Sequence, residues 1–478
     1  MAWGPVLGVA AAVVALLLVV ANRYGWHRDE LYFLEAGKNL AWGYRDQPPF
    51  TPAIARLADL IAPGNLVVLR TPPALASGAT AILGALIVRE MGGRRRAQIG
   101  GALAMGSSGF VLGVGHLLST ATFDLTAWMT LLWLTTRLLR TGNPRWWLAF
   151  GAIAGIAMLN KNLLLLLGTA LLCGLLAERR WDLLRSAWLA AGIGLAAGIA
   201  APNLLWQADH GWPQIEMARV LSERLATESR VTLLPLQVLF APGLVVLLWR
   251  GARSLRRADA ARTFRPLLWA WPAGLVVVFI TAGRPYYMLP LTMMVALAGV
   301  VATERAGRIG GIGWHIAPNL AMSLVFALPI LPLASTKLTA NLNEAVAETV
   351  GWPELAAQVA GVVDSLPDEE QADVVLLAAS YGEAGALDRF GGAYGLPPAY
   401  AAHNSYADFR HPTDEEATVV AVRYETSYLD LYFTSCEQVA IVDNGLDIDN
   451  EVQGTPIVVC RGLRDPWPQT WQQLRRLS

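Results

Sequence analysis

Charge is scarce in this 478-residue chain, where Asp, Glu, Lys and Arg make up 15% and hydrophobic residues 54%. A soluble domain carries about 25% charge, so a soluble enzyme is excluded. Net charge is zero, with 37 basic and 37 acidic residues, which removes the usual electrostatic basis of nucleic-acid binding. Lysine is rarer still, occurring only at 38, 161 and 337, a bias we read as compositional. Cysteine is confined to Cys173, Cys436 and Cys460 without CxxC spacing, which argues against a zinc or iron–sulfur centre. Cys436 and Cys460 form a candidate disulfide if the C-terminal segment faces an oxidising compartment. Internal repeats and low-complexity stretches are absent.

What the chain has in abundance is long apolar runs. About 20 apolar residues in a helix cross the roughly 30 Å hydrocarbon layer, and eleven candidate segments occur, some of them short. They lie near 2–21, 66–88, 97–115, 125–139, 146–159, 163–177, 187–202, 233–249, 266–282, 286–303 and 312–333. The first lacks the basic flank of a signal peptide and is read as a retained helix. With the N-terminus inside, the cytoplasmic loops 89–96, 137–145, 178–185, 250–265 and 304–308 hold 18 arginines against five acids, as the positive-inside bias requires. An odd number of spans places the C-terminus outside. From Lys337 onward there are 22 acids against 8 bases, and apolar β-like runs at 374–377, 418–422, 439–442 and 457–459 predict an α/β domain. The expected division is therefore a membrane domain over 1–336 and an extracytoplasmic domain over 337–478.

Two external loops depart from the pattern. Loop 22–65 is external yet carries Arg23, Arg28, Lys38, Arg45 and Arg56. Apolar positions 31, 33, 34 and 40 within it predict a short interfacial helix, and a second is expected from Pro52 to about Ile61. Loop 203–232 is long and polar, too large to be a mere turn.

Asp29-Glu30, just beyond the first span, supplies carboxylates at the membrane surface that can serve as a general base or a metal ligand; capping a helix start is the competing reading. Tyr44 and Asp46 follow in Gly43-Tyr44-Arg45-Asp46-Gln47-Pro48-Pro49. Asp124 closes a short external turn, where an ionisable group is a functional candidate unless it caps the next helix. Asn160-Lys161 interrupts an apolar stretch, marking a hairpin, an anion site or both. Arg284 beside Tyr286 and Tyr287 is a combination suited to phosphate, although both cations also fit simple snorkelling to headgroups. His210 fits a proton carrier, a metal ligand or a hydrogen-bonding loop residue. His116 and His315 receive no role.

These residues resemble the GT-C glycosyltransferases, specifically the bacterial family 39 and aminoarabinose-transferase-like group, relatives of the protein O-mannosyltransferases. The resemblance runs through Asp29-Glu30, Gly43-Tyr44-x-Asp46-x-Pro48-Pro49, Phe123-Asp124 and Asn160-Lys161. It continues through Pro202-Asn203-x-x-Trp206-Gln207-x-x-His210-Gly211-Trp212-Pro213 and Tyr286-Tyr287 with Pro290. In the tail it includes Tyr381-Gly382-Glu383-Ala384-Gly385-Ala386-Leu387 and His403-Asn404-Ser405-Tyr406.

The resemblance implies an α-helical integral membrane protein of GT-C fold, with about 11 spans and interfacial helices in the first external loop, plus a C-terminal extracytoplasmic α/β domain. It implies an inverting transferase in the plasma (inner) membrane. Such an enzyme moves a sugar from a polyprenyl-phosphate donor to a hydroxyl of a cell-envelope glycan, lipid or protein. Asp29 is then the general base, with Glu30 and Asp124 orienting it. A divalent metal ion, where one is used, falls to Asp29, Glu30, Asp124 and His210. Lys161 and Arg284 bind the donor phosphate with Tyr286 or Tyr287, and Tyr44, Asp46 and His210 contact substrate. The tail aids acceptor recognition. The alternatives are a transporter or flippase of lipid-linked saccharide and an inactive wall-binding scaffold. Charges confined to one face favour the enzyme over a transport path.

Overall fold

The computed structural model describes residues 1–338 and 344–477. The chain divides into two units that do not follow chain order. One comprises 1–21, 47–51 and 67–328, the other 22–46, 52–66 and 329–478. The segment after the first apolar run, expected within the first 336 residues, thus groups largely with the tail.

The first unit is helical. All eleven apolar runs fall on helices, but among the described residues five helices are long and apolar enough to cross a membrane. These are Leu66–Glu90, Ala187–Asp209, Asp259–Thr281, Pro285–Arg305 and Ile309–Ala327. Two bent pairs raise the number to seven: Arg95–Gly106 with Gly109–Gly115, and Pro213–Leu239 with Pro242–Arg257. Trp3–Val19, Trp146–Met158 and Leu164–Ala177 are apolar but shorter. At 13 residues and about 1.5 Å per residue, Trp146–Met158 reaches only part way across a bilayer. The expected polar loop 203–232 is helical for most of its length, because Pro213 starts a 27-residue helix.

Small residues let these helices approach closely, the usual device where lipid removes the hydrophobic drive between helices. A Cβ on Gly151 would lie 2.1 Å from the Gly192 carbonyl oxygen, and one on Gly299 1.8 Å from that of Leu247. Two acids from the arginine-rich end are consumed structurally. Buried Glu90 accepts from Arg137 and Arg140. Glu304 accepts from the backbone N–H groups of Arg94 (2.7 Å) and Ala97 (3.1 Å), capping Arg95–Gly106.

The second unit is built on a five-stranded sheet of β1 (Val375–Ala378), β2 (Ala399–Ala401), β3 (Val419–Val422), β4 (Phe433–Ile441) and β5 (Pro456–Leu463), in the order β2-β1-β3-β5-β4. β1 pairs parallel with β2 and β3; β5 runs antiparallel to β3 and β4. The all-buried β1 and β3 read as continuous apolar runs, as two-sided burial predicts. Cys436 stands opposite Cys460 across β4 and β5, and the two are disulfide-bonded. Phe433, Trp467 and Trp471 centre the core.

Arg28–Lys38 and Phe50–Ile61 supply the two short helices expected after the first apolar run. Leu31 and Phe33, read as membrane-surface positions, are buried by protein. Gly385 of the Tyr381–Phe390 helix meets Leu31 so closely that an added Cβ would sit 2.9 Å from the Leu31 Cβ.

Candidate active site

In the second unit, a capping box fixes the first carboxylates. His27 Nδ1 accepts from the Asp29 N–H at 3.1 Å, and Glu30 Oε2 accepts from the His27 N–H at 2.9 Å. His27, not Asp29, is therefore the cap, and fully buried Glu30 is tied to the backbone. Asp29 emerges beyond this cap with 33% of its side chain exposed. Its Oδ1 accepts from the Tyr381 hydroxyl at 2.9 Å, and the Arg28 Nε lies 3.7 Å away.

Asp46 has a parallel arrangement. Its Oδ1 accepts from the Tyr32 hydroxyl at 2.7 Å and from Ser405 at 3.2 Å. Tyr32 stacks on Tyr381 with centroids 4.5 Å apart, and Tyr381 stacks on His403 at 5.1 Å. The two carboxylates thus hang from one stack of buried aromatic rings. Burial pushes the Asp46 carboxyl up to about 6, against the bonds from Tyr32 and Ser405 and with repulsion from Asp29. Burial and the neighbouring carboxylates hold the Tyr32 and Tyr381 hydroxyls protonated well above their ordinary range. Burial, followed by Arg476 and Arg423, pushes His403 down to about 3. Tyr44 serves the fold: its hydroxyl donates to the Ala36 carbonyl at 2.8 Å and accepts from the Ala41 N–H at 3.3 Å.

Beside the stack lies an ion network. Glu451 accepts from Arg28 and, at 2.8 Å, from Arg423, which is 3.1 Å from buried Glu383. Burial opposes ionisation of Glu451, yet Arg28 and Arg423 hold it down to about 2.

In the first unit, Lys161 sits in the break between Trp146–Met158 and Leu164–Ala177. That turn is pinned by Asn160, whose Nδ2 donates to the Thr120 carbonyl at 2.8 Å and whose Oδ1 accepts from Thr51 at 2.8 Å. The Lys161 ammonium donates to the Tyr286 hydroxyl at 3.1 Å and lies 5.4 and 5.1 Å from the centroids of Tyr286 and Tyr287. Tyr286 packs on Phe110 at 5.6 Å. The Pro285 carbonyl is held by Gln237 at 2.8 Å. Buried Asp124 interacts electrostatically with Lys161, and its Oδ1 has no hydrogen-bond partner. Ser119 caps the Thr120–Thr141 helix, leaving Asp124 inside its first turns. Arg284 is half-buried beside Tyr287.

His210 is exposed at the end of Ala187–Asp209, stacked on Trp206 at 3.9 Å with its Nδ1 on the Trp206 carbonyl. Among the described residues no three His, Cys, Asp or Glu side chains are grouped to hold a metal ion.

Tyr32, Tyr381, Ser405 and Arg28 were not singled out from sequence as site residues. Tyr381 and Ser405 stand inside quoted tail motifs, which was the available signal. Tyr32 gave none, because a tyrosine in a short amphipathic helix looks like packing.

Residues 46–206 match the family model described as dolichyl-phosphate-mannose-protein mannosyltransferase. In fold the chain is similar to ArnT from Cupriavidus metallidurans bound to undecaprenyl phosphate, at TM-score 0.60 and 16% identity over 94% of this chain and 97% of that one. The apo state of that protein gives 0.57 and 16% over 94% and 96%. The Archaeoglobus fulgidus oligosaccharyltransferase in complex with Zn and sulfate gives 0.45 and 14% over 82% and 62%. No curated protein matches in sequence.

The family match is confined to 46–206, and the likeness to ArnT shows a shared fold across 94% of this chain.

Proposed function

We propose that this chain is a multi-pass membrane glycosyltransferase of the GT-C superfamily, which takes a sugar from a polyprenyl-phosphate carrier and passes it, with inversion, to a hydroxyl of an envelope glycan, lipid or protein; the mannosyltransferase match over 46–206 supports this over the transporter and scaffold alternatives. The observation that carries the proposal is Lys161. It is a cation held at the break of two short apolar helices by an aromatic hydroxyl instead of a carboxylate, which leaves it able to take an anion presented from lipid. The undecaprenyl phosphate bound in the ArnT structure supports the same ligand class.

In this reading Lys161, with Arg284 and Tyr287, meets the donor phosphate. Asp124 acts on Lys161 only through space, without a hydrogen bond, so the ammonium keeps donors for the phosphate. Asp29 accepts the proton as the acceptor oxygen attacks the anomeric carbon. The carbon–oxygen bond to phosphate breaks, and polyprenyl phosphate leaves with the electron pair. Tyr381 orients Asp29 by donating to Oδ1, so the free lone pairs of the carboxylate face the acceptor. Tyr32, Asp46 and Ser405 brace that tyrosine.

The Cys436–Cys460 disulfide and the arginine-rich loops support an extracytoplasmic tail, a cytoplasmic N-terminus and the plasma (inner) membrane as the site. The test is sugar release from a radiolabelled polyprenyl-phosphate-sugar panel with total membrane glycans as acceptor. Turnover is expected in wild type, with loss in Asp29→Asn while donor binding persists. Donor binding without turnover by wild type on every acceptor would overturn the proposal. An impermeant thiol reagent applied to reduced intact cells should label Cys436; labelling only after lysis would place the tail inside.

A further inference from the structure

The bent pair Pro213–Leu239 with Pro242–Arg257 ends in a run of arginines, and a cavity of about 550 Å³ opens where Val245–Arg257 meets Arg265–Thr281. Its lining includes Trp249, Arg253, Arg256, Arg257, Trp269 and Trp271. Neighbouring guanidiniums are occupied: Arg250 donates to Thr303 at 3.2 Å, and Arg265 to the Leu255 and Arg256 carbonyls at 3.2 and 3.0 Å. Arg253, Arg256 and Arg257 are exposed and, among the described residues, have no carboxylate partner. Arg253 lies 5.7 Å from the Trp249 ring centroid. Trp249 and Trp269 are 61% and 45% exposed, two open aromatic faces beside three cations. Trp269 is oriented by its indole N–H, which donates to Glu178 at 2.8 Å.

Three like charges on about one and a half helical turns repel one another, and an anion relieves that repulsion. The apolar walls narrow the choice of anion. Inorganic phosphate uses the guanidinium forks but leaves the indoles bare, whereas a lipid phosphate diester uses both. The cavity lies at the end of apolar helices, the depth at which tryptophan and arginine meet headgroups. The segment belongs to loop 250–265, which the charge bias assigns to the cytoplasmic side, where anionic lipids attract basic pockets.

We propose that this cavity binds the headgroup of an anionic phospholipid, with Arg253, Arg256 and Arg257 on the phosphate and Trp249 and Trp269 against the glycerol and first acyl carbons. The site does not depend on the roles assigned to Asp29 or Lys161.

The test uses the full chain in phosphatidylcholine nanodiscs, titrated with phosphatidylglycerol and followed by native mass spectrometry. The triple variant Arg253→Gln, Arg256→Gln, Arg257→Gln should bind phosphatidylglycerol at least ~10-fold more weakly, as expected for lost charge-assisted bonds. A control with the same charge change, Arg94→Gln, Arg95→Gln, Arg96→Gln, should bind as wild type. Equal weakening in both triples reduces the effect to general surface charge and overturns the site, as does no weakening in the first. Displacement by inorganic phosphate at matching concentration would make it a free-anion site, and preference for polyprenyl phosphate would make it a donor site; either result overturns the lipid assignment. Melting in pure phosphatidylcholine should be the same for all three proteins, and Trp249→Ala alone should weaken lipid binding without altering charge.

Discussion

Lys161 and Asp29 are both half-buried ionisable groups held by a tyrosine hydroxyl, but the two units treat them differently. Around Lys161 the helical unit offers rings, one phenol and a carboxylate that forms no ion pair with it. Around Asp29 the sheet-containing unit offers Tyr381, Arg28 and, through Arg28, the Glu451–Arg423–Glu383 network. A charge in apolar surroundings is costly until a counter-charge arrives, so the first arrangement suits capture of an anionic ligand. A charge beside a compensated network keeps its place whether or not ligand is bound, which suits a group that must be oriented before reaction.

The sharpest test of this contrast is Asp29→Asn, which should lower turnover by about 10²–10⁴-fold, the range for a lost general base, with donor affinity unchanged in filter binding. Unchanged turnover would end the assignment. Within the same unit, replacing both Cys436 and Cys460 by serine opens a link of sequence separation 24 and should cost about 3 kcal/mol of stability on the loop-entropy estimate. Chemical denaturation should register this as a lower midpoint, whereas Cys173→Ser in the helical unit should leave it in place.

Lys161→Met should raise the donor KM about 10- to 100-fold, as for a lost bond to a charged group, with kcat at saturation changed far less. A matching fall in kcat with no change in KM would place Lys161 on the reaction instead of the carrier. Tyr381→Phe should do the opposite, lowering kcat by about 10-fold at constant donor KM, since it removes only the hydroxyl that aims Asp29. If donor KM moves instead, the division of labour between the clusters is wrong.

The smallest effect is pH-dependent. Burial raises Asp46 in the folded chain to about 6, above its unfolded value. The folded state therefore binds the extra proton, and this stabilisation is full below about pH 4 and is lost as pH rises through about 6. Asp46→Asn retains an acceptor oxygen for Tyr32 and Ser405 but cannot ionise. The difference in melting temperature between variant and wild type should move in the variant's favour from about pH 4 to about pH 7.5, and a pH-independent difference would remove Asp46 as the titrating group.

Periodicity and apolar length are local properties, so the helical class, the apolar helices, the paired short helices at Arg28–Lys38 and Phe50–Ile61, and three of the five strands were legible in the order of residues. It also marked Asp29, Asp46, Asp124, Lys161 and Tyr286 as charges and phenols out of place. β2 was missed because Ala399-Tyr400-Ala401 follows two prolines and carries no branched residue, and Pro213–Leu239 was missed because its polar surface hid a helix. The partners of these groups came from packing. Tyr381 reaches Asp29 across 352 residues and Ser405 reaches Asp46 across 359. Pairings at that separation are set by how strands and helices pack around a shared core, which local sequence does not encode.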